Sequence, residues 1–407
     1  MTVAKNYRLL EEEMLSQEMI KLGTQRSVIR ELFAYGLQRA ELVGPENVLD
    51  FSLGNPSVPA PKEVQEAIID IVKNNDPMVY HGYSTSQGHA SCRKAIASNL
   101  NKRFDRAYSP NDLFITCGAA ASLCITFKAL AADPSDEIIV LAPYFPEYKV
   151  FIEGQGARMN LVPNRNDMKL NLEGIKEAVN KNTKALLINT PNNPSGVVYS
   201  KEEIKELSDY LKKMQEETGQ TIYLISDEPY RELVFNDEPV PFIPNYYDNT
   251  IICYSWSKSL SMPGERIGYI LVNDKCEDNE TLIAAVGGAA RALGYVCAPT
   301  LFQLVIEKCI DVEPDLEVYK KNRDILYNGL TEMGYNVAKP DGAFYLFIEA
   351  PNGNSQEFSE KAKAHDVLVV PGAGFGTSTH LRLSYCVDTE KCEKALPVFE
   401  KLIKEYK

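Results

Sequence analysis

The sequence predicts an α/β protein with a largely parallel sheet covered by helices on both faces, followed by a smaller α+β domain. Apolar runs of strand length alternate with helical patterns from about residue 61 to 272, and continuously apolar strands are typical of parallel sheets buried on both faces. At 407 residues the chain exceeds the length at which a single core stops growing. We therefore expect an N-terminal arm over 1–50 that joins the small domain, a large domain over 51–295 and a small domain over 296–407.

The individual elements follow from hydrophobic periodicity. An amphipathic helical pattern runs from residue 1 to about 45, with Leu9, Leu10, Met14 and Ile20 on one face and Ser27 as a cap before Val28. Helices are expected near 61–73, 90–101, 120–131 and 200–218, and strands at 113–116, 137–141, 184–189, 222–226, 250–255 and 267–272. After about residue 300 we expect two long helical stretches, strands at 343–348, 366–370 and 380–384, and a final charged helix.

Composition excludes several classes of function. With 43 basic and 56 acidic side chains the net charge is -13, which gives no electrostatic footprint for nucleic acid or an anionic membrane. The nine cysteines lack CxxC spacing and the four histidines form no HExxH motif, so we expect free thiols and no metal site. We see no apolar signal core and no run of bilayer length, so a cytoplasmic protein acting on small molecules is expected.

One lysine stands out in the sequence Ser255-Trp-Ser-Lys258, which is followed by Pro263-Gly-Glu-Arg-Ile-Gly268. Lys258 comes directly after an apolar run, so it is expected at the end of a buried strand, where the neutral, nucleophilic amine is favoured over ammonium. Ser255, Ser257 and Arg266 could then bind a phosphate. The pattern suits a covalently held aldehyde cofactor that carries a phosphate. The alternative is a solvated surface lysine beside a turn.

Two further segments follow apolar strands, at the edge where ligands of open α/β sheets gather. Asp227 follows the strand that ends at Ser226, and an acidic side chain is the usual partner of a protonated pyridine nitrogen. The alternative is an aspartate that caps a helix. The segment 189–196, Asn-Thr-Pro-Asn-Asn-Pro-Ser-Gly, follows another such strand and forms a turn on any interpretation.

A third segment, Gly118-Ala-Ala-Ala-Ser122, begins a helix after a strand. A helix start offers free N–H groups and a favourable dipole to a phosphate. A small-residue turn that allows close packing is the alternative.

Arg382 is a single cation among apolar neighbours on the expected strand 380–384. Such a charge is costly unless it is paired, and the planar guanidinium suits a carboxylate. A substrate carboxylate or a structural salt bridge would both explain it.

Taken together and in this order, these motifs resemble the class I/II aminotransferases, pyridoxal-phosphate enzymes of fold type I that are similar to aspartate aminotransferase. The resemblance extends from about Gly54 to Ser384. It implies a mostly parallel seven-stranded sheet, bound pyridoxal 5'-phosphate and a homodimer.

The resemblance also assigns roles to residues. It implies that Lys258 binds the cofactor covalently and moves the reacting proton, that Asp227 contacts the pyridine nitrogen, and that Tyr230 contacts the phenolic oxygen. Asn193 would reach that oxygen and the substrate carboxylate, which Arg382 binds. Further cofactor contacts are implied at Gly118, Ala119, Ala120, Phe145, Ser255, Ser257 and Arg266.

Three assignments from the resemblance compete with plain structural interpretations. Tyr83 matches a tyrosine that crosses the dimer interface to the neighbouring phosphate, but it also suits a surface loop. Phe145 would stack on the cofactor, although a core phenylalanine is nearly as consistent. Gly54 resembles a glycine on the substrate side, and a simple turn would explain it equally well.

The resemblance predicts an aminotransferase that moves an amino group between an L-amino acid and a 2-oxo acid such as 2-oxoglutarate. Arg291 lies near the second arginine of dicarboxylate-specific members, which favours aspartate. The glycines, alanines and tyrosine around it would equally suit an aromatic or small apolar side chain.

Two other functions compete with the aminotransferase prediction. The same Lys258 chemistry could serve carbon-sulfur β-elimination. The fold also forms the sensing half of bacterial transcription regulators, but the roughly fifty residues before Gly54 are too few and too acidic for a DNA-binding module.

Overall fold

A computed structural model describes residues 15–24, 27–236 and 238–406. The N-terminal helical pattern forms two helices, Gln17–Thr24 and Val28–Val43. Ser27 caps the second helix by accepting a hydrogen bond from the backbone N–H of Arg30, as its sequence predicts. Leu9, Leu10 and Met14 lie outside the described residues.

The central sheet has seven strands in the order β2-β8-β7-β6-β5-β3-β4, and all neighbouring pairs are parallel except those that involve β8. This confirms the mostly parallel seven-stranded sheet. Its strands are β2 (Leu113–Thr116), β3 (Glu137–Ala142), β4 (Arg158–Pro163), β5 (Thr183–Asn189), β6 (Tyr223–Asp227), β7 (Thr250–Ser255) and β8 (Gly268–Val272). Strand β4 has a mixed, partly exposed sequence at the sheet edge, and it was not predicted.

Helices cover both faces of this sheet. Adjacent residues such as Phe114 and Ile115 belong to different buried clusters, as strand alternation requires when neither face meets water. The helices around the sheet are Lys62–Asn74, Pro77–His81, Ala90–Phe104, Ala119–Leu130, Glu147–Glu153, Leu172–Ala178, Lys201–Thr218, Asn279–Ala292 and Thr300–Cys309.

A smaller α+β unit follows. Strands β9 (Tyr345–Glu349), β11 (Val370–Pro371) and β12 (His380–Ser384) form an antiparallel sheet in the order β11-β12-β9. Its helices are Glu317–Met333, Ser355–Lys363 and Thr389–Lys404.

The N-terminal segment packs on this smaller unit. Strand β1 (Leu49–Asp50) pairs with β10 (Val367–Leu368), and Arg39 forms an ion pair of 2.6 Å with Asp366. The single strand predicted over 366–370 was therefore wrong. The chain forms two short strands there, because β10 pairs with the N-terminal segment whereas β11 pairs with β12.

The carboxyl ends of β5, β6 and β7 meet at one edge of the sheet, where Asn189 is in register with Asp227, and Asp227 with Cys253. Loops that carry the sequence motifs leave the sheet at this edge. No helix in the described part of the chain combines the length and apolarity that a bilayer crossing requires.

Candidate active site

A cavity of about 290 Å³ opens where the sheet edge meets the smaller unit. Twelve of the residues singled out from the sequence line it: Gly54, Ala119, Ala120, Phe145, Asn193, Asp227, Tyr230, Ser255, Ser257, Lys258, Arg266 and Arg382. The fold thus brings together side chains more than 300 positions apart in sequence.

Lys258 lies just beyond the end of β7, and its Nζ donates a hydrogen bond of 2.7 Å to the carbonyl oxygen of Gly54. Protein surrounds the amine, although the cavity leaves it partly accessible. Burial lowers its pKa to about 8, because ammonium is poorly solvated there. The neutral, nucleophilic amine is therefore far more populated near neutral pH than in an unperturbed lysine.

Asp227, at the end of β6, is buried and uses only one of its carboxylate oxygens. The hydroxyl of Tyr148 donates to Oδ2, whereas Oδ1 has no hydrogen-bond partner among the described residues. Burial raises the pKa of Asp227 to about 7, against the opposing effect of the Tyr148 hydrogen bond. A buried acceptor without a partner is costly, and a protonated ring nitrogen of pyridoxal phosphate entering the cavity would satisfy it.

Donors for a phosphate gather at the start of helix Ala119–Leu130. Gly118 precedes this helix with φ of 85°, and a Cβ placed on it would lie 2.8 Å from Nη2 of Arg266. Only glycine therefore allows Arg266 to approach the helix start this closely. Ser255 and Ser257 line the same cavity. Gly118 supports this cradle without lining the cavity itself.

Arg382 on β12 lies in the cavity wall without an acidic partner. Its Nη1 donates to Oδ1 of Asn193 at 3.1 Å and its Nη2 to the carbonyl oxygen of Ser52 at 2.6 Å, while Nε has no partner. None of the ion pairs in the described residues includes Arg382, so the structural salt bridge considered from the sequence is not formed. Burial lowers its pKa, and a carboxylate ligand would compensate the buried charge.

Sequence reasoning missed several residues that hold the site together. Asn189 links two loops, since its Nδ2 donates to the backbone oxygen of Asp227 at 2.8 Å and its Oδ1 accepts from the backbone N–H of Asn193 at 2.7 Å. The hydroxyl of Tyr345 lies 2.9 Å from that of Tyr230. Asn189 is the first residue of the motif 189–196, so the sequence could have indicated it. No local sequence pattern indicates Tyr345.

The position of the Tyr345 side chain leaves room only for glycine at residue 54. A Cβ on Gly54 would lie 2.0 Å from the hydroxyl oxygen of Tyr345, so no larger residue fits without moving that side chain.

Besides Gly118, two predicted residues lie outside the cavity of their own chain. Tyr83 is 93% exposed, and Arg291 is exposed near the end of helix Asn279–Ala292. Either residue could act in catalysis only by reaching the cavity of a second copy.

Comparison with known proteins identifies the family of this chain. Residues 46–399 match the family model described as aminotransferase class I and II. The chain belongs to this family. This aminotransferase is 30% identical over 395 residues to a probable aspartate aminotransferase of Methanocaldococcus jannaschii, covering 92% of this chain and 96% of the relative.

Solved structures show the same architecture. An amino transferase from Eubacterium rectale is 52% identical to this aminotransferase, with a TM-score of 0.94 and coverage of 96% of this chain and 99% of that one. The aspartate aminotransferase of Thermotoga maritima is 28% identical, with a TM-score of 0.84 and coverage of 96% and 100%. The predicted family and fold are confirmed.

Proposed function

We propose that this aminotransferase uses pyridoxal 5'-phosphate to move an amino group between an L-amino acid and a 2-oxo acid. One observation carries the proposal: a buried amine with a lowered pKa, Lys258, and a buried carboxylate with a free oxygen, Asp227, face the same cavity. Burial of each group costs free energy, and a protonated pyridine aldehyde would satisfy both.

Each cofactor group has matching residues in the cavity. Asp227 would hold the proton on the ring nitrogen, and Tyr230 and Asn193 would donate to the phenolic oxygen. The cofactor's phosphate would lie against Arg266, Ser255, Ser257 and the N–H groups of Ala119 and Ala120. Phe145 lines the same cavity and is the aromatic side chain proposed to cover the ring.

Lys258 carries out the covalent and proton-transfer steps. Bound pyridoxal phosphate acts as an electron sink for the substrate's Cα. Lys258 would hold the cofactor at its aldehyde carbon, and its free amine would move the proton that leaves the substrate's Cα. Its hydrogen bond to Gly54 holds the free amine inside the cavity.

Arg382 is proposed to bind the substrate's α-carboxylate. Both of its bonded nitrogens donate to neutral oxygens, so its positive charge has no anionic partner until a substrate arrives. Asn193 shares this contact and thereby links substrate binding to the cofactor's phenolic oxygen.

We propose that the working enzyme is a homodimer. Three apolar or aromatic side chains, Met78, Val79 and Tyr83, are exposed by 76%, 45% and 93%. The Thr300 hydroxyl donates to the carbonyl of Gly82 at 2.7 Å, which places this segment beside the one that follows Val296, another exposed apolar residue. A second copy would cover this surface and bring Tyr83 to the neighbouring phosphate.

Nine free cysteines support a reducing, cytoplasmic location.

Aspartate with 2-oxoglutarate is the first substrate pair to test. The relative from Methanocaldococcus jannaschii is named a probable aspartate aminotransferase and that from Thermotoga maritima an aspartate aminotransferase, which supports this pair. Lys258, Arg266 and Arg382, however, are the only basic side chains that line the cavity in the described chain, and all three have other proposed roles. A second carboxylate would therefore be met by Arg291 supplied by a second copy.

Spectra of the purified protein test the proposal. We expect bound cofactor to absorb in the visible range, and single amino acids to shift that absorbance as they donate their amino group. Aspartate should react faster than alanine, and Arg291→Ala should slow aspartate while leaving alanine unchanged. A colourless protein that pyridoxal phosphate cannot reconstitute would refute the cofactor, whereas equal rates for aspartate and alanine would refute only the dicarboxylate preference.

A further inference from the structure

A second, larger cavity lies behind the segment that carries Lys258. Side chains of this segment alternate between the two cavities: Ser255 and Ser257 line the catalytic cavity, whereas Tyr254, Trp256 and Ser259 line the other. We call this second space the rear cavity. Its volume of about 550 Å³ lies within the range of small-molecule sites, roughly 300–1,000 Å³.

The rear cavity has an aromatic floor. The ring of Trp256 lies 5.2 Å from that of Tyr254 and 5.5 Å from that of Tyr269. Buried Ile96 and Leu100 on helix Ala90–Phe104 add apolar surface, as does the partly buried Val312. This surface suits an apolar or aromatic side chain of a ligand.

The charged side chains of the rear cavity are balanced in sign. Three are basic and three acidic: Lys102, Arg103, Arg231, Glu232, Asp311 and Glu313. Arg103 and Glu232 pair at 3.1 Å, whereas Lys102 and Glu313 form no ion pair within the described ranges. The acidic residues would repel a purely anionic ligand, and the basic residues would repel a purely cationic one. A molecule that carries both charges therefore fits best.

One buried polar atom supports a ligand site here. Arg231 is 6% exposed, and its Nη2 has no hydrogen-bond partner among the described residues. Its other groups bond to Glu228 and to the hydroxyl of Tyr269. An unused donor on a buried arginine in the cavity wall marks a place where a carboxylate would be stabilised.

We propose that the rear cavity binds a free amino acid in its zwitterionic form, with an apolar or aromatic side chain against the floor. The cavity wall is directly linked to the catalytic segment. Tyr254 donates to Glu232 at 2.9 Å, and its hydroxyl lies 3.0 Å from that of Ser259, the residue after Lys258. Occupancy therefore acts on the position of Lys258, a consequence that rests on the proposed function.

The chain contains its own reporter for this site, because Trp256 is its single tryptophan. We would titrate holoenzyme whose lysine-cofactor bond has been reduced with borohydride, so that transamination cannot occur, and follow tryptophan fluorescence. L-Phenylalanine should give a saturable change. Phenylalaninol, which lacks the carboxylate, and 3-phenylpropionate, which lacks the amine, should bind at least about tenfold more weakly.

Variants locate the site of binding. Val312→Phe should abolish the change by filling the cavity, and Lys102→Gln and Glu313→Gln should each weaken binding by about three- to tenfold. Glu317→Gln, the same substitution four residues beyond Glu313 and outside the cavity, should bind as wild type does. Arg382→Lys should also leave this binding unchanged, since Arg382 lines only the catalytic cavity.

Two results would overturn the proposal. Absence of any saturable fluorescence change with L-phenylalanine in the wild type would exclude the site. Equal binding of phenylalanine and its two analogues would exclude zwitterion recognition. Because the chemistry is blocked in this titration, both results differ from a failure of the proposed function, which would appear as loss of cofactor binding or of the amino-acid reaction.

Discussion

At the scale of single residues, the chemistry of this site depends on which oxygen of Asp227 is free. The hydroxyl of Tyr148 occupies Oδ2, so Oδ1 remains the acceptor that faces a ligand. A hydrogen bond from a neutral phenol also stabilises the carboxylate over the acid, which opposes the effect of burial on the pKa. Tyr148 is thus a positioning residue that sets both the direction and the charge of Asp227.

Tyr148→Phe should lower kcat on the acidic side of its pH profile. Without the phenol the pKa of Asp227 rises above about 7, so the carboxylate is lost at a higher pH and, under the proposed function, would no longer hold the cofactor's ring proton. We expect kcat at pH 7 to fall roughly fivefold if the pKa rises by about one unit, because the ionised share of Asp227 then drops from about a half to about a tenth, and we expect the acid limb of the kcat profile to move upward. Tyr144→Phe is the matched control, and an unchanged profile for Tyr148→Phe would contradict this role.

The lowered pKa of Lys258 predicts how the stability of the protein without cofactor depends on pH. Its pKa is about 8 in the folded chain against 10.5 for an unperturbed lysine, so below pH 8 ammonium is present in both states and its burial destabilises the fold. The folded amine loses its proton first as the pH rises, and this penalty disappears between pH 8 and 10.5.

Apoprotein should therefore gain stability over that interval relative to Lys258→Met. The gain is at most about 3 kcal/mol, and access of water to the cavity makes a smaller value more realistic. Urea unfolding of both apoproteins at pH 7 and pH 10.5 measures it. Parallel pH dependence of the two would show that Lys258 is not desolvated.

At the scale of elements, the N-terminal helix Val28–Val43 connects the small unit to the catalytic cavity. Ile29 on its first turn lines the cavity, while Gly36 packs against the paired strands β1 and β10. A Cβ on Gly36 would lie 2.9 Å from Cδ1 of Leu368 and 3.0 Å from Oδ2 of Asp50. A larger residue at this position would therefore have to displace Leu368 or Asp50 from the helix.

Gly36→Val should displace the helix and affect both stability and substrate binding. Overpacking of this kind costs about 1–3 kcal/mol, which thermal unfolding would detect, and movement of Ile29 should raise the KM for the amino acid. Gly23→Val is the matched control, since Gly23 is also helical and a Cβ added there would meet no atom within 4 Å. Equal effects of the two substitutions would argue against the packing role.

The elements also show what the sequence could and could not predict. Strands β2, β7 and β12 were predicted with their observed bounds, because they are apolar runs with clear ends. Strand β4 was missed, and β10 and β11 were merged into one predicted strand. Pairing partners distant in sequence determine where these strands begin and end. Within the site, Asn193 and Asp227 were found from their motifs, whereas Tyr148 and Tyr345 act through tertiary contacts that leave no local pattern.

At the scale of the whole molecule, the cavity of one chain is incomplete if Tyr83 serves the phosphate of a second copy. Tyr83 does not line the cavity of its own chain, and a two-fold dimer would exchange this residue reciprocally between its two sites. Each site would then combine Lys258 of one subunit with Tyr83 of the other.

Subunit mixing tests this arrangement directly. In a hybrid of Lys258→Ala and Tyr83→Ala chains, one site carries both defects and the other carries none. Equal mixing gives hybrids as about half of all dimers, so we expect roughly a quarter of wild-type activity from two parents that are each nearly inactive. Recovery is possible only if the two residues come from different chains, because sites built within one chain would each keep one defect and the mixture would stay as inactive as its parents.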